Sequence, residues 1–122
     1  MKILTIVNAA IEILAGLGML FATASLPGME SAGLEAILMA RMYGAAALSV
    51  GVLSLLVMQK LNINSVVHIF TRSMVVFHLG VGIVNTLAVN AGNENALPVA
   101  ILHGLMGLAF LYFVMQGEKG AD

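Results

Sequence analysis

The chain has 122 residues, of which 61% are hydrophobic and 9% are charged, with a mean hydropathy of +1.05. So few polar residues cannot cover a water-soluble domain of this length, and the composition therefore indicates a membrane protein. The formal net charge is −1 and the sequence has no basic run, so it offers no basic segment that would bind the phosphates of nucleic acid. The absence of cysteine excludes disulfides, thiolate metal sites and thiol redox chemistry.

Four long apolar segments follow one another along the chain, at about residues 3–26, 34–58, 71–91 and 97–115. Each is close to the ~20 residues that cross a bilayer core at ~1.5 Å per residue. The first resembles a signal peptide, but Glu12 interrupts its apolar core, so we expect it to be retained as a span. Short connections between the segments predict an all-α fold, a transmembrane four-helix up-down-up-down bundle that forms one domain over residues 1–122.

The segments that connect the spans differ in charge. In such a bundle the N-terminus, residues 59–70 and the C-terminus lie on one side, and the basic residues on that side are Lys2, Lys60, Arg72 and Lys119. The opposite side carries Glu30, Glu35 and Glu94 and no lysine. By the positive-inside rule, this asymmetry predicts an inner-membrane protein with both termini in the cytoplasm.

Polar side chains within the apolar spans are the candidate functional residues. Arg41 lies about two turns inside the second span, and Gly44, Ala47 and Gly51 follow it. An arginine at that depth costs ~3 kcal/mol or more unless it meets a partner. The predicted ligand-binding residues are therefore Arg41 and its candidate partners on the other three spans, which are Glu12, His78, Asn85 and His103.

Helical rise and side-chain tilt predict two layers of these residues. Counted inward from the outer helix ends, Glu12 and His78 lie about 20 Å deep, and Arg41, Asn85 and His103 lie about 10 Å deep. Side chains tilt toward the N-terminus of their own helix, which makes His78 and His103 lean apart. Because the polar residues of each span share a stripe, we expect them to converge on a pocket in the outer half of the bundle.

Four kinds of site are compared with these polar residues, and they fit the residues to different degrees. A haem needs His78 and His103 at one level, and zinc needs a third ligand, for which Glu12 is the one plausible residue. A proton-coupled small-molecule transporter could use Glu12, but the lack of tryptophan fits poorly with binding bulky cations. The favoured hypothesis is a pocket for a lipophilic molecule with a polar head, such as a quinone, lipid or sterol, without a metal or other cofactor. Whether any reaction is catalysed stays open.

Several glycine-rich segments together resemble the DoxX-like group of small bacterial four-helix membrane proteins. The resemblance covers nearly the whole chain, and the segments that carry it are Glu12 to Gly18, Arg41 to Gly51, Phe77 to Gly80 and Leu102 to Gly104. It implies a bacterial inner-membrane protein with four spans. Some relatives are linked to quinone-dependent sulfur oxidation or redox stress. The match covers Arg41, Gly44 and Gly51 better than any catalytic residue, and the lack of cysteine rules out the thiol chemistry of some members.

The alternative hypothesis is a structural or assembly subunit of a membrane complex, possibly a redox complex. In that case the polar residues fix helix packing, and the glycine faces contact membrane partners or a second copy of the chain. A ligand that stays bound to the purified protein favours the pocket, whereas a bare multimer or a stable complex favours the subunit.

Overall fold

The computed structural model describes residues 1–119, with side chains described through Gln116. The described residues form four long helices and no strand: α1 (Lys2–Phe21), α2 (Leu34–Met58), α3 (Asn64–Asn90) and α4 (Leu97–Lys119). All four helices are long and apolar enough to cross a membrane. The predicted all-α class with four spans is confirmed, and the chain has the architecture of a multi-pass membrane protein. Residues 120–122 of the predicted domain lie outside the described residues.

Two helix ends differ from the sequence prediction by five residues or more. Helix α1 ends at Phe21 and is followed by a 3₁₀ turn at Thr23–Ser25, where the Thr23 hydroxyl donates a hydrogen bond to the Met19 carbonyl. This bond and the 3₁₀ turn end the helix before Pro27 is reached. Helix α3 already begins at Asn64, because the polar segment before residue 71 contains no glycine or proline to prevent helix formation.

The chain divides into two compact units, each of them a helical hairpin. One unit consists of α1 and α2 (Lys2–Gln59), and the other contains α3 and α4 and begins at Lys60. Gly28 in the first hairpin's connection has a φ of 82° and Gly92 in the second has a φ of 97°. Both values lie in the left-handed region that glycine adopts at little cost, so these residues allow the chain to turn back.

Small residues bring α1 and α2 into close backbone contact. A Cβ added to Gly16 would lie 2.6 Å from the Leu48 nitrogen, and one added to Gly51 would lie 2.6 Å from Ile13 Cγ1. The end of α1 thus packs against the beginning of α2, and the two helices are antiparallel. In a membrane, where the hydrophobic effect does not drive helices together, such close packing is a main source of helix association.

Helices α3 and α4 pack in the same antiparallel way. A Cβ added to Gly107 would lie 2.6 Å from Leu79 Cδ2, and one added to Gly82 would lie 3.3 Å from the Gly104 nitrogen. Phe70 and Phe110 make an edge-to-face contact with ring centroids 5.9 Å apart. This register places the middle of α3, which carries His78, beside the first half of α4, which carries His103.

Candidate functional site: a histidine pair in the second hairpin

His78 of α3 and His103 of α4 form a buried hydrogen-bonded pair. Their side chains are 0% and 8% exposed, and their Nδ1 atoms are 2.9 Å apart. The ring centroids are 5.0 Å apart, with an angle of 39° between the ring planes. The pair is a polar link between α3 and α4.

The prediction that His78 and His103 lean apart into separate layers is wrong. The tilt of the Cα–Cβ bond fixes only the start of a side chain, and rotation about the side-chain bonds brings the two rings together. The depth count also omitted the 3₁₀ turn at Glu94–Ala96, which precedes α4. At ~2 Å per residue this turn adds about 6 Å to the depth of His103 and brings it close to that of His78.

Aromatic rings surround the pair and hold its orientation. Phe110 is fully buried and stacks on His78, with centroids 5.6 Å apart and planes 9° from parallel. The edge-to-face contacts of Phe77 put its centroid 5.1 Å from that of His78 and 6.0 Å from that of His103. Within the hairpin these aromatic rings shield the hydrogen bond from water and so strengthen it.

The hydrogen bond fixes what the rings can offer to a third group. In the neutral pair one Nδ1 donates and the other accepts, so one Nε2 carries a proton and the other carries a lone pair. The pair therefore combines one donor and one acceptor at its Nε2 atoms.

An apolar groove of about 280 Å³ runs along the same hairpin. Its lining residues are Leu79, Gly82, Ile83, Thr86, Leu87, Ala100 and Gly104. Gly104 directly follows His103, and Gly82 lies one turn after His78. A Cβ added to Gly104 would meet nothing within 4 Å, so the groove is open at that position.

The other predicted site residues have different surroundings. Asn85 is half-buried, and its Nδ2 donates a 2.9 Å hydrogen bond to the Val81 carbonyl of its own helix. In the first hairpin Glu12 is buried and Arg41 is exposed. At about 100° per residue, Arg41 lies roughly 120° from the centre of the buried face of α2, which explains its exposure. The structure thus brings His78 and His103 together within one hairpin.

One buried polar contact was not predicted from the sequence. In the first hairpin Asn8 Nδ2 donates a 2.8 Å hydrogen bond to Ser54 Oγ, which in turn donates to the Val50 carbonyl. A signal was present, because Ser54 continues the three- and four-residue spacing of the small residues Gly44, Ala47 and Gly51. A serine on a packed small-residue face is well placed to bond across to the facing helix.

Comparison with known proteins adds no relative. The chain matches no protein-family model, and neither a curated protein nor a solved structure is significantly similar to it. The functional argument therefore rests on the chemistry of its side chains.

Proposed function

We propose that the protein binds a lipophilic molecule with a polar head group inside the membrane. The observation that carries the proposal is the hydrogen bond between the buried imidazoles of His78 and His103 on two helices that are long enough to span a membrane. Ionisable residues in such helices are costly and mark functional sites more often than other positions do. The apolar groove on the same hairpin, whose lining includes Gly104 next to His103 in the sequence, supplies the second element that such a ligand needs.

The groove and the histidine pair would bind different parts of such a ligand, because the groove is apolar and the pair is polar. The groove, with two glycines in its lining, accommodates an acyl, isoprenoid or ring segment. Its volume of about 280 Å³ is near the lower limit of small-molecule sites, which suits a segment of a ligand whose remainder lies among lipids. A hydroxyl or carbonyl head can bond to the imidazole pair, and His103 is the ring with an exposed fraction.

For the remaining predicted site residues, the support comes from the sequence. Glu12 and Arg41 are charged side chains within predicted spans, and Asn85 carries an amide on the helix that holds His78. A role of each in head-group binding, for Arg41 through an anionic or carbonyl oxygen, stays a prediction from the sequence, and the binding proposal rests on the hairpin of α3 and α4. Quinones, sterols and lipids remain the ligand classes, and no reaction is assigned.

The cellular location is also proposed from the sequence. The charges of the connecting segments favour a cell inner membrane and cytoplasmic termini. The glycine-rich segments support a place among the DoxX-like bacterial proteins. Membrane lipids are the immediate surroundings and the first source of ligands.

Paired glycine substitutions test the proposal. Gly104→Leu fills the groove, whereas Gly80→Leu adds the same side chain at an exposed position of α3, and a Cβ meets nothing within 4 Å at either site. Each variant is purified in mild detergent, and its bound small molecules are identified by native mass spectrometry. We expect Gly104→Leu to lower ligand occupancy about tenfold, equivalent to ~1.4 kcal/mol, and Gly80→Leu to leave it unchanged.

A structural subunit is the second candidate. The Asn8–Ser54 hydrogen bond favours it, because this bond links α1 to α2 and needs no ligand. The same purification separates the candidates. A parent protein that carries no small molecule but forms a stable multimer, or a complex with another chain, contradicts the ligand proposal and supports the subunit.

A further inference from the structure

Each histidine of the pair has a buried methionine one turn away on its own helix. Met74 precedes His78 by four positions and is 3% exposed, and Met106 follows His103 by three positions and is 7% exposed. Residues three or four positions apart lie on the same helix face. Two imidazoles and two thioethers are thus placed on the buried faces of one hairpin.

This set of donors has a defined metal preference. Thioether sulfur selects soft ions such as Cu(I), and imidazole nitrogen also binds copper. All four side chains are neutral ligands, so binding a monovalent ion leaves a single positive charge. The desolvation energy of an ion rises with the square of its charge, which makes Cu(I) far less costly than a divalent ion in this apolar region.

We propose that this hairpin binds one Cu(I) ion through Nδ1 of His78 and Nδ1 of His103, with the thioether sulfur of Met74 or Met106 as a further ligand. The nitrogen atoms are 2.9 Å apart. Two nitrogens bound to one three-coordinate ion at ~2.0–2.1 Å lie about 3.5 Å apart, so the rings need to separate by about 0.6 Å and to turn toward the ion.

The proton balance of this exchange is simple. Before binding, one Nδ1 carries the proton of the hydrogen bond. On binding, that proton leaves Nδ1 and the same ring is protonated at Nε2, so both imidazoles stay neutral. The copper ion enters and remains as Cu(I), and no electron is transferred.

The test is a Cu(I) titration of the full-length protein in detergent, without oxygen and in competition with a chromogenic Cu(I) chelator. We expect one ion per chain, an affinity about 100-fold lower in His103→Asn, and one about tenfold lower in the double variant Met74→Leu/Met106→Leu. Leucine closely matches the volume of methionine, so this variant retains packing while it removes sulfur. X-ray absorption of the Cu(I) complex reports nitrogen and sulfur ligands directly.

Matched controls separate copper binding from misfolding and from chance binding. Met19→Leu changes a half-buried methionine of the first hairpin, and His68→Asn changes a half-buried histidine outside the pair. Both variants are expected to bind Cu(I) like the parent. A parent that leaves all copper with the chelator, equal losses in the control variants, or an unchanged affinity in either His103→Asn or the double variant Met74→Leu/Met106→Leu overturns the proposal.

The copper site does not depend on the proposed lipophilic ligand. Gly104→Leu fills the groove without altering a nitrogen or sulfur donor, so it should remove the organic ligand and leave the Cu(I) affinity unchanged. The double variant Met74→Leu/Met106→Leu should lower the Cu(I) affinity and retain the organic ligand. Each proposal can thus fail while the other stands.

Discussion

At the residue scale, the hydrogen bond between His78 and His103 predicts a specific spectroscopic signal. A proton shared by two nitrogen atoms 2.9 Å apart transmits spin coupling between them. In ¹⁵N-histidine-labelled protein free of copper, NMR is expected to show a cross-peak that joins the two Nδ1 signals. Substitution of His103 by Gln should abolish the cross-peak, while His68→Gln should retain it. Two uncoupled ring signals in the parent protein would contradict the pair.

The Asn8–Ser54 contact is a second prediction at the residue scale. In membrane proteins such bonds contribute on average ~0.6 kcal/mol, and up to ~1.7 kcal/mol. We expect a coupling energy in this range from the cycle Asn8→Ala, Ser54→Ala and the double variant, measured by detergent-induced unfolding. Ser49→Ala is the matched control, because the exposed Ser49 makes the same type of hydrogen bond to the Ala45 carbonyl. A coupling energy of zero would mean that the contact does not hold the helices.

Individual residues also show how far sequence reasoning reaches. Polarity within apolar segments was enough to select His78 and His103, because few polar residues occur there. Their contact was missed, because it depends on side-chain rotamers and on a 3₁₀ turn that periodicity does not reveal. Arg41 was assigned to an inward stripe from its spacing to Gly44, yet it is exposed. Spacing places a residue near a face without defining the centre of that face.

At the scale of the helices, glycine substitutions test how closely α1 and α2 pack. A Cβ at Gly44 would lie 2.8 Å from Met19 Cβ and 2.9 Å from the Gly16 carbonyl oxygen. Gly44→Ala must therefore push the helices apart, and we expect it to lower the free energy of unfolding by about 1–3 kcal/mol. The measurement is unfolding of the purified protein in mixed micelles.

Gly80→Ala is the control for this prediction. Gly80 is exposed on α3, and a Cβ there meets nothing within 4 Å. Alanine also has the higher helix propensity, so stability should be unchanged or higher by up to ~1 kcal/mol. If the two variants unfold alike, close packing at Gly44 contributes nothing to the stability of the first hairpin.

Helix boundaries were predictable where glycine or polar residues directly border an apolar run. The predicted and observed bounds of α2 agree at residues 34 and 58, because glycine precedes the apolar run and polar residues follow it. The start of α3 was placed too late, because polar residues before residue 71 were interpreted as a connection. Polarity marks the edge of the apolar core of a membrane, but a helix can continue past that edge with its backbone hydrogen bonds intact.

At the scale of the whole molecule, composition alone predicted the class of protein. A chain with 61% hydrophobic residues must bury or hide them, and four segments of spanning length offer one way to do so in a bilayer. Ligand identity could not be predicted in this way, because any molecule with an oxygen-bearing head and an apolar body satisfies the same donors and the same groove. The proposed copper preference could not be predicted from the sequence for a related reason, since methionine in an apolar run cannot be distinguished from packing until its position relative to histidine is known.

The membrane orientation gives the last prediction, and the absence of cysteine makes it straightforward to measure. Lys2, Lys60 and Arg72 should hold their ends of the helices in the cytoplasm. Single cysteines at the exposed positions Ser31 and Asn93 should therefore react in intact cells with a maleimide that cannot cross the membrane. A cysteine at the exposed Asn62 should react only after the membrane is permeabilised. The reverse pattern would place both termini outside, and labelling of all three in intact cells would contradict a four-span arrangement, because two sides of a membrane cannot both face the reagent.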